Sequence, residues 1–252
     1  MLSDEELLRY SRQIMLPSWD VAAQEKLKAS KALIIGLGGL GCPVALYLAA
    51  AGVGELQIAD FDTVDATNLQ RQILHYSADV GVKKVESAAT KLHALNPLVH
   101  VQAIDRQLDA EQLQALVAGV DVVLDCTDNF LTRDAVNAAC VAARKPLVSG
   151  AAIGTSGQLA VFDLRDPAAP CYRCLYPDVD EAALACSESG VLPTVVGVVG
   201  TLQAHEALKV LTGVGQTLAG RLWVWEGNTM DMRTLRLKKD AACPVCGTGA
   251  VL

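Results

Sequence analysis

Two short glycine- and charge-bearing stretches and two cysteine pairs give this chain the residue types and spacings of chemical machinery. The run Gly36-Leu37-Gly38-Gly39-Leu40-Gly41 sits between an apolar segment and a segment rich in small residues. Glycines at such a turn let the backbone approach a phosphate, and the amides opening the next helix attract the anion. Asp60 follows Gly41 by 19 residues, at the end of the next apolar run, from where a carboxylate reaches a ribose hydroxyl. Taken alone, the pattern says only nucleotide. It also satisfies G-x-G-x-x-G, so an NAD(P)-dependent oxidoreductase is an open alternative.

The charges beside this turn favour phosphate chemistry. Asn68-Leu69-Gln70-Arg71-Gln72 follows the second strand, Lys84 opens a helix, and Asp125-Cys126-Thr127-Asp128-Asn129 ends another strand. In an open parallel sheet these strand ends share one crevice, so Asp60, Asp62, Asn68, Arg71, Lys84 and Asp128 are expected to converge. A reaction at phosphorus needs cations, here Arg71 and Lys84, and a carboxylate for Mg²⁺, here Asp128, with Asp62 as a second candidate. Hydride transfer usually recruits an acid or base such as histidine. His75, His93, His100 and His205 all fall outside the crevice motifs.

Cys171-Tyr-Arg-Cys174 and Cys243-Pro-Val-Cys246 are two C-x₂-C knuckles. Two such pairs make a closed four-thiolate zinc site, structural because no coordination position is left open. The 68 residues between them exceed the roughly 15–20 of a compact finger, so the site would tie the end of the chain to its middle. A redox pair, unlinked thiols or an iron–sulfur cluster are the alternatives. Cys42, Cys126 and Cys140 read as core thiols.

The elements that must position these groups alternate. Strands are predicted at 31–36, 55–60, 99–104, 121–125 and 146–149, with helices at 41–51, 84–95, 110–118 and 132–143. This is an α/β, Rossmann-like, mostly parallel sheet. Residues 1–30 form a polar helical arm and 31–150 a nucleotide-binding half. Residues 151–252 form a second half of the same single domain, with strands at 158–163 and 221–225 and a long helix at 193–211. Residues 171–190 read as a metal-ordered knuckle followed by a mobile loop.

Composition sets the outer limits. The 252 residues are 52% hydrophobic and 19% charged, enough for a sizeable core. The net charge of −7 argues against nucleic acid and against an anionic membrane surface as partners. The N-terminal segment is charged rather than a secretory signal. The longest apolar stretch, 191–204, is broken by Pro193, Gly197, Gly200 and Gln203 and falls short of a span. The expected location is cytoplasmic.

Together the motifs resemble the MoeB/ThiF family, bacterial relatives of ubiquitin-activating enzymes. The matching stretches are LRYSRQI (8–14), GLGGLG (36–41), ADFDTV (59–64), NLQRQ (68–72), VESA (85–88) after Lys84, DCTDN (125–129), SGAA (149–152) and the two knuckles. VGVKKVESA and SGAAI resemble the molybdopterin branch, the nearer of the two, while CYRCLYPD and ALYLAAAGVG resemble the thiamine branch. The resemblance implies ATP-dependent adenylation of the C-terminal glycine of a ubiquitin-like sulfur-carrier protein (MoaD- or ThiS-like, ending in Gly-Gly). It places Gly36, Gly38, Gly39, Gly41, Thr67, Asn68, Leu69, Gln70, Arg71, Lys84 and Asn129 against ATP. Asp60 would hold the ribose, with Asp62 beside the nucleotide, and Asp128 would hold Mg²⁺. It makes residues 151–252 the carrier-binding half. Arg12 would reach into the partner subunit of a homodimer, and Cys186 would link covalently to carrier or sulfur in some members. The chain stops just past Cys246, without the rhodanese domain of longer relatives, so a separate sulfur donor protein is expected. A non-catalytic carrier-binding module is a third reading, which intact Arg71, Lys84 and Asp128 argue against.

Overall fold

Short apolar runs alternate with amphipathic or small-residue helices, and the chain folds accordingly. The computed structural model describes residues 1–177 and 190–247. An arm of three short helices, α1 (Asp4–Arg9), α2 (Ser11–Ile14) and α3 (Asp20–Ala29), precedes the sheet. Then come β1 (Lys31–Ile35), α4 (Gly41–Ala51), β2 (Glu55–Ala59), α5 (Lys84–Leu95), β3 (His100–Ile104), α6 (Ala110–Ala118), β4 (Val122–Asp125) and α7 (Phe130–Ala143). The remainder is β5 (Leu147–Ile153), β6 (Ser156–Phe162), α8 (Tyr172–Leu175), α9 (Pro193–Thr212), β7 (Arg221–Glu226) and β8 (Asp231–Arg236).

One sheet holds all eight strands in the order β3-β2-β1-β4-β5-β6-β7-β8. The first five are parallel, and β5–β6, β6–β7 and β7–β8 are antiparallel. β1 and β4 are buried from Ala32 and Val122 onward because helices cover both faces, hence their unbroken Val/Leu/Ile runs. The chain winds outward from β1 to β3 and then returns on the other side at β4. The C-terminal ends of β1 and β4 therefore flank a topological switch point, where open α/β sheets bind ligands.

The differences from expectation have local causes. β5 runs on to Ile153 because β6 pairs with it over its full length, well past the last β4 partner, Ser149. Helix α7 begins at Phe130 because the Asn129 side chain accepts the Thr132 amide at 2.8 Å and caps it there. β8 escapes detection because all six of its residues are exposed, so no alternation of apolar and polar side chains marks it. The loop expected after the first knuckle lies outside the described residues.

Candidate functional site

The glycine turn closes on itself at Gly41. A Cβ there would stand 1.9 Å from the Gly36 carbonyl oxygen, so only glycine lets α4 start that close to β1. Gly38 is different. A Cβ at Gly38 would meet nothing nearer than Gln72 Nε2 at 3.7 Å. The fold does not require glycine there, whereas a phosphate lying over the turn would. Gly36 abuts the Cys126–Thr127 backbone and Gly39 lies under Val196 of α9, so the turn touches both the end of β4 and the long helix.

Asp60 ends β2 beside this turn. Its Oδ2 accepts the Leu37 amide at 2.7 Å and its Oδ1 accepts the Asp62 amide at 2.9 Å. Each oxygen keeps a lone pair for a further donor such as a hydroxyl. Lys84, the first residue of α5, is only 5% exposed. Its Nζ lies 2.8 Å from Asp62 and 3.9 Å from Asp60. An ammonium has thus been carried into the protein next to the anion-seeking turn. Asp62 gives one carboxylate oxygen to Lys84 and, 53% exposed, keeps the other for a further partner.

The segment between β2 and α5 supplies the rest. Asp65 caps the 3₁₀ turn Ala66–Asn68, accepting the Thr67 amide and hydroxyl at 2.8 and 2.5 Å. Arg71 is half-buried, its guanidinium 2.7 Å from Asn68 Oδ1 and 3.4 Å from the Thr67 carbonyl. Leu69 is half-buried and Gln70 exposed on the same turn. Within the described residues, hydrogen bonds, ion pairs and close backbone contacts join the glycine turn, Asp60, Asp62, Lys84 and the end of β4. Arg71, Asn68 and Thr67 form a neighbouring cluster of their own.

Asp128 and Asn129 follow β4. Asp128 is exposed and makes no hydrogen bond or ion pair among the described residues, which leaves its carboxylate open for a hard cation. Asn129 uses its oxygen in the α7 cap and keeps its amide NH₂. Arg12 is exposed and likewise has no side-chain partner among the described residues. The arm that carries it is anchored: buried Tyr10 accepts from Asn96 Nδ2 at 2.8 Å, and Gln13 and Gln24 hold the Ala51 carbonyl at 3.1 and 2.9 Å. Cys186 lies outside the described residues.

His75 corrects the expectation that no histidine approaches the crevice. The chain folds back after Gln72, and buried His75 sits under the glycine turn, Nε2 3.1 Å from the Leu37 carbonyl and Nδ1 2.8 Å from Ser87 Oγ. A carbonyl only accepts, so Nε2 carries the proton, and burial holds the imidazole pKa below its usual value. Both nitrogens are engaged within the protein, so His75 supports the turn. Its spacing from the motifs hid this role, because the reversal at Gln72–His75 has no glycine or proline to announce it.

The four knuckle cysteines meet. Their sulfur atoms lie within 4.8 Å of one another, with Cys171–Cys243 at 3.6 Å and Cys174–Cys246 at 3.4 Å. A tetrahedral zinc site with bonds of about 2.3 Å puts sulfurs about 3.8 Å apart, whereas a disulfide needs about 2.05 Å. The donor set and spacing therefore fit a four-thiolate metal centre. Asn137 Nδ2 and the Asp240 amide point at Cys171 and Cys174 sulfurs at 3.6 and 3.4 Å, the outer-shell donors that thiolate ligands attract.

Comparison with known proteins adds independent findings. The sequence profile of the ThiF family matches residues 10–245. The chain is similar to the molybdopterin-synthase adenylyltransferase of Escherichia coli (strain K12), 50% identical over 246 residues and covering 98% of each chain. It is similar to the sulfur carrier protein ThiS adenylyltransferase of the same organism, 49% identical over 247 residues, covering 98% of this chain and 97% of that one. Among solved structures, E. coli MccB with ATP superposes with a TM-score of 0.84 at 26% identity, covering 95% of this chain and 73% of that one.

Proposed function

From the premise that this chain belongs to the ThiF family, we propose that it is an ATP-dependent adenylyltransferase acting on the C-terminal glycine carboxylate of a ubiquitin-like sulfur-carrier protein. Two bacterial relatives are named for molybdopterin synthase and for ThiS. The class proposed here is a ubiquitin-like carrier ending in Gly-Gly. The observation that carries the reading is the buried Lys84 ammonium beside a glycine turn whose Gly38 leaves room for phosphate.

The chemistry is the meeting of two anions. The carrier's carboxylate attacks the α-phosphorus of ATP, an acyl-adenylate forms, and pyrophosphate leaves. The carboxylate is already ionised near neutral pH, so the site needs no general base. It needs positive charge and positioning. The turn from Gly36 to Gly41 cradles the phosphates, Asp60 accepts from the ribose, and Thr67 to Gln70 line the nucleotide. Lys84 and Arg71 offset charge on the crowded phosphorus, and Asn129 offers its NH₂ nearby. Asp128 is the residue to hold Mg²⁺, which when bound screens the triphosphate. Arg12, on its anchored arm, is assigned to the partner's site in a homodimer.

The knuckle is proposed to hold structural zinc. The antiparallel side of the sheet would receive the carrier, with exposed Met232 on β8 as an apolar contact. Sulfur transfer is assigned to a separate donor protein. Burial pushes the Cys42 thiol up to about 12 and raises those of Cys126 and Cys140, so none of these three is a ready nucleophile. The oxidoreductase alternative finds no free histidine at the turn among the described residues, since both His75 nitrogens are engaged.

ATP–pyrophosphate exchange is the test. Exchange is expected only with a carrier ending in Gly-Gly, and Asp128→Ala is expected to remove it while leaving the fold intact. NAD binding without ATP binding would overturn the assignment.

A further inference from the structure

We infer that Arg133 is a positioning residue that fixes the 125–129 loop, and through it Asp128, by bracing it against β5 and the metal knuckle; this rests on the adenylation reading. Arg133 lies on α7, one turn past Asn129, and is 8% exposed. Its guanidinium donates to the Thr127 carbonyl and, at 3.0 Å, to the Gly150 carbonyl of β5. Another nitrogen stands 3.8 Å from Asp125, which is 1% exposed. Asp125 in turn accepts the Thr127 amide and hydroxyl at 3.1 and 2.7 Å and the Ser149 hydroxyl at 3.0 Å. Thr127 is therefore held through its amide, its hydroxyl and its carbonyl. On the far side, Asn129 is held by its cap on α7. Asp128 sits between two fastened residues, its own carboxylate unengaged among the described residues.

The same side of α7 carries the knuckle. Asn137, one turn beyond Arg133, accepts the Tyr172 amide at 2.9 Å and points its NH₂ at the Cys171 sulfur. Phe130 packs its ring 5.7 Å from that of Tyr172, and Arg173 lies over Phe130. A four-thiolate centre thus braces α7, and α7 braces the loop. A buried ion pair is poor evidence of stabilisation, since an apolar replacement often serves as well. What an apolar group cannot do is tie the loop carbonyl of Thr127 to the β5 carbonyl of Gly150, both of which accept from one guanidinium nitrogen while a second faces Asp125 in the same rigid plane. That is a positioning task.

The test uses the zinc-loaded chain and the variants Arg133→Met and Arg133→Lys. Zinc content, amide hydrogen exchange across residues 125–129, and the Mg²⁺ dependence of carrier-driven exchange are measured on each. Arg133→Met is expected to keep its zinc and lose protection across the loop. It should need about tenfold more Mg²⁺ for half-maximal rate, as loss of an outer-shell support typically does, with much of the rate recovered at saturation. Arg133→Lys should fall between Met and wild type. Unchanged loop protection and unchanged Mg²⁺ dependence, or a lowered rate with no Mg²⁺ shift, would overturn the inference. Should Arg133→Met not fold, the Lys variant decides on the same readouts. Absence of exchange in the wild-type protein would sink the adenylation reading instead, and loop protection would still decide the role of Arg133.

Discussion

Replacing Lys84 by methionine separates catalysis from stability. The side chain is 6% exposed, so its charge is desolvated and strongly felt by an adjacent phosphate. Its partner Asp62 is 53% exposed and returns to water when the ammonium is removed. Asp60 remains hydrogen-bonded to two backbone amides. Methionine keeps the stem's volume and packing. The stability cost is therefore that of a half-exposed pair, about 1 kcal/mol, or about 2–4 °C in Tm for a chain of this size. The cost to the chemical step is that of removing one preorganised charge from the transition state, about 10²–10³ in rate. Carrier-dependent ATP–pyrophosphate exchange at saturating Mg²⁺, beside a thermal melt, measures both. A rate within about fivefold of wild type, the scale of 1 kcal/mol, would show that Lys84 only completes an ion pair. A collapse of the fold would show that the exposed partner had been misjudged.

Four further outcomes follow from the geometry. Gly38→Ala is expected to weaken ATP binding with Tm moved by no more than about 2 °C, the range of an unstrained surface change. Gly41→Ala, whose Cβ would strike the Gly36 carbonyl, is expected to lose both binding and stability in the same calorimetric and melting assays. Metal analysis is expected to find about one zinc per chain; Cys243→Ser should release it and lower Tm by on the order of 10 °C. Stability should fall as pH drops below 6.5, because buried His75 has a lowered pKa while the unfolded chain takes up the proton at its ordinary 6.5. His75→Gln should flatten that part of a denaturation-versus-pH curve.

Much of this was legible in the chain because local and global signals agree. The small-residue run from Gly41 to Ala51 could only be a helix packed close to β1, and its predicted bounds are the observed ones. The same holds for α5, whose stop at Asn96-Pro97 is chemically explicit. The knuckle spacing announced that Cys171, Cys174, Cys243 and Cys246 would meet. Groups whose role depends on tertiary contact were silent. His75 looks like a loop histidine until the turn is seen above it. Arg133 reads as one charge on a helix until Thr127, in the loop after β4, and Gly150, on β5, are brought to it. β8 carries no burial and so no pattern. Lys84 shows its charge in the sequence but not its burial, which comes from the helices and turns packed around it.

An adenylating site must join the α-phosphate of ATP to the carrier's terminal carboxylate. ATP labelled at the α- or the γ-phosphorus, incubated with this protein, Mg²⁺ and a Gly-Gly-ending carrier, tests that directly. The α-label is expected on the carrier and the γ-label in free pyrophosphate. Label reaching the carrier from the γ-position, or none reaching it from either, would contradict the mechanism.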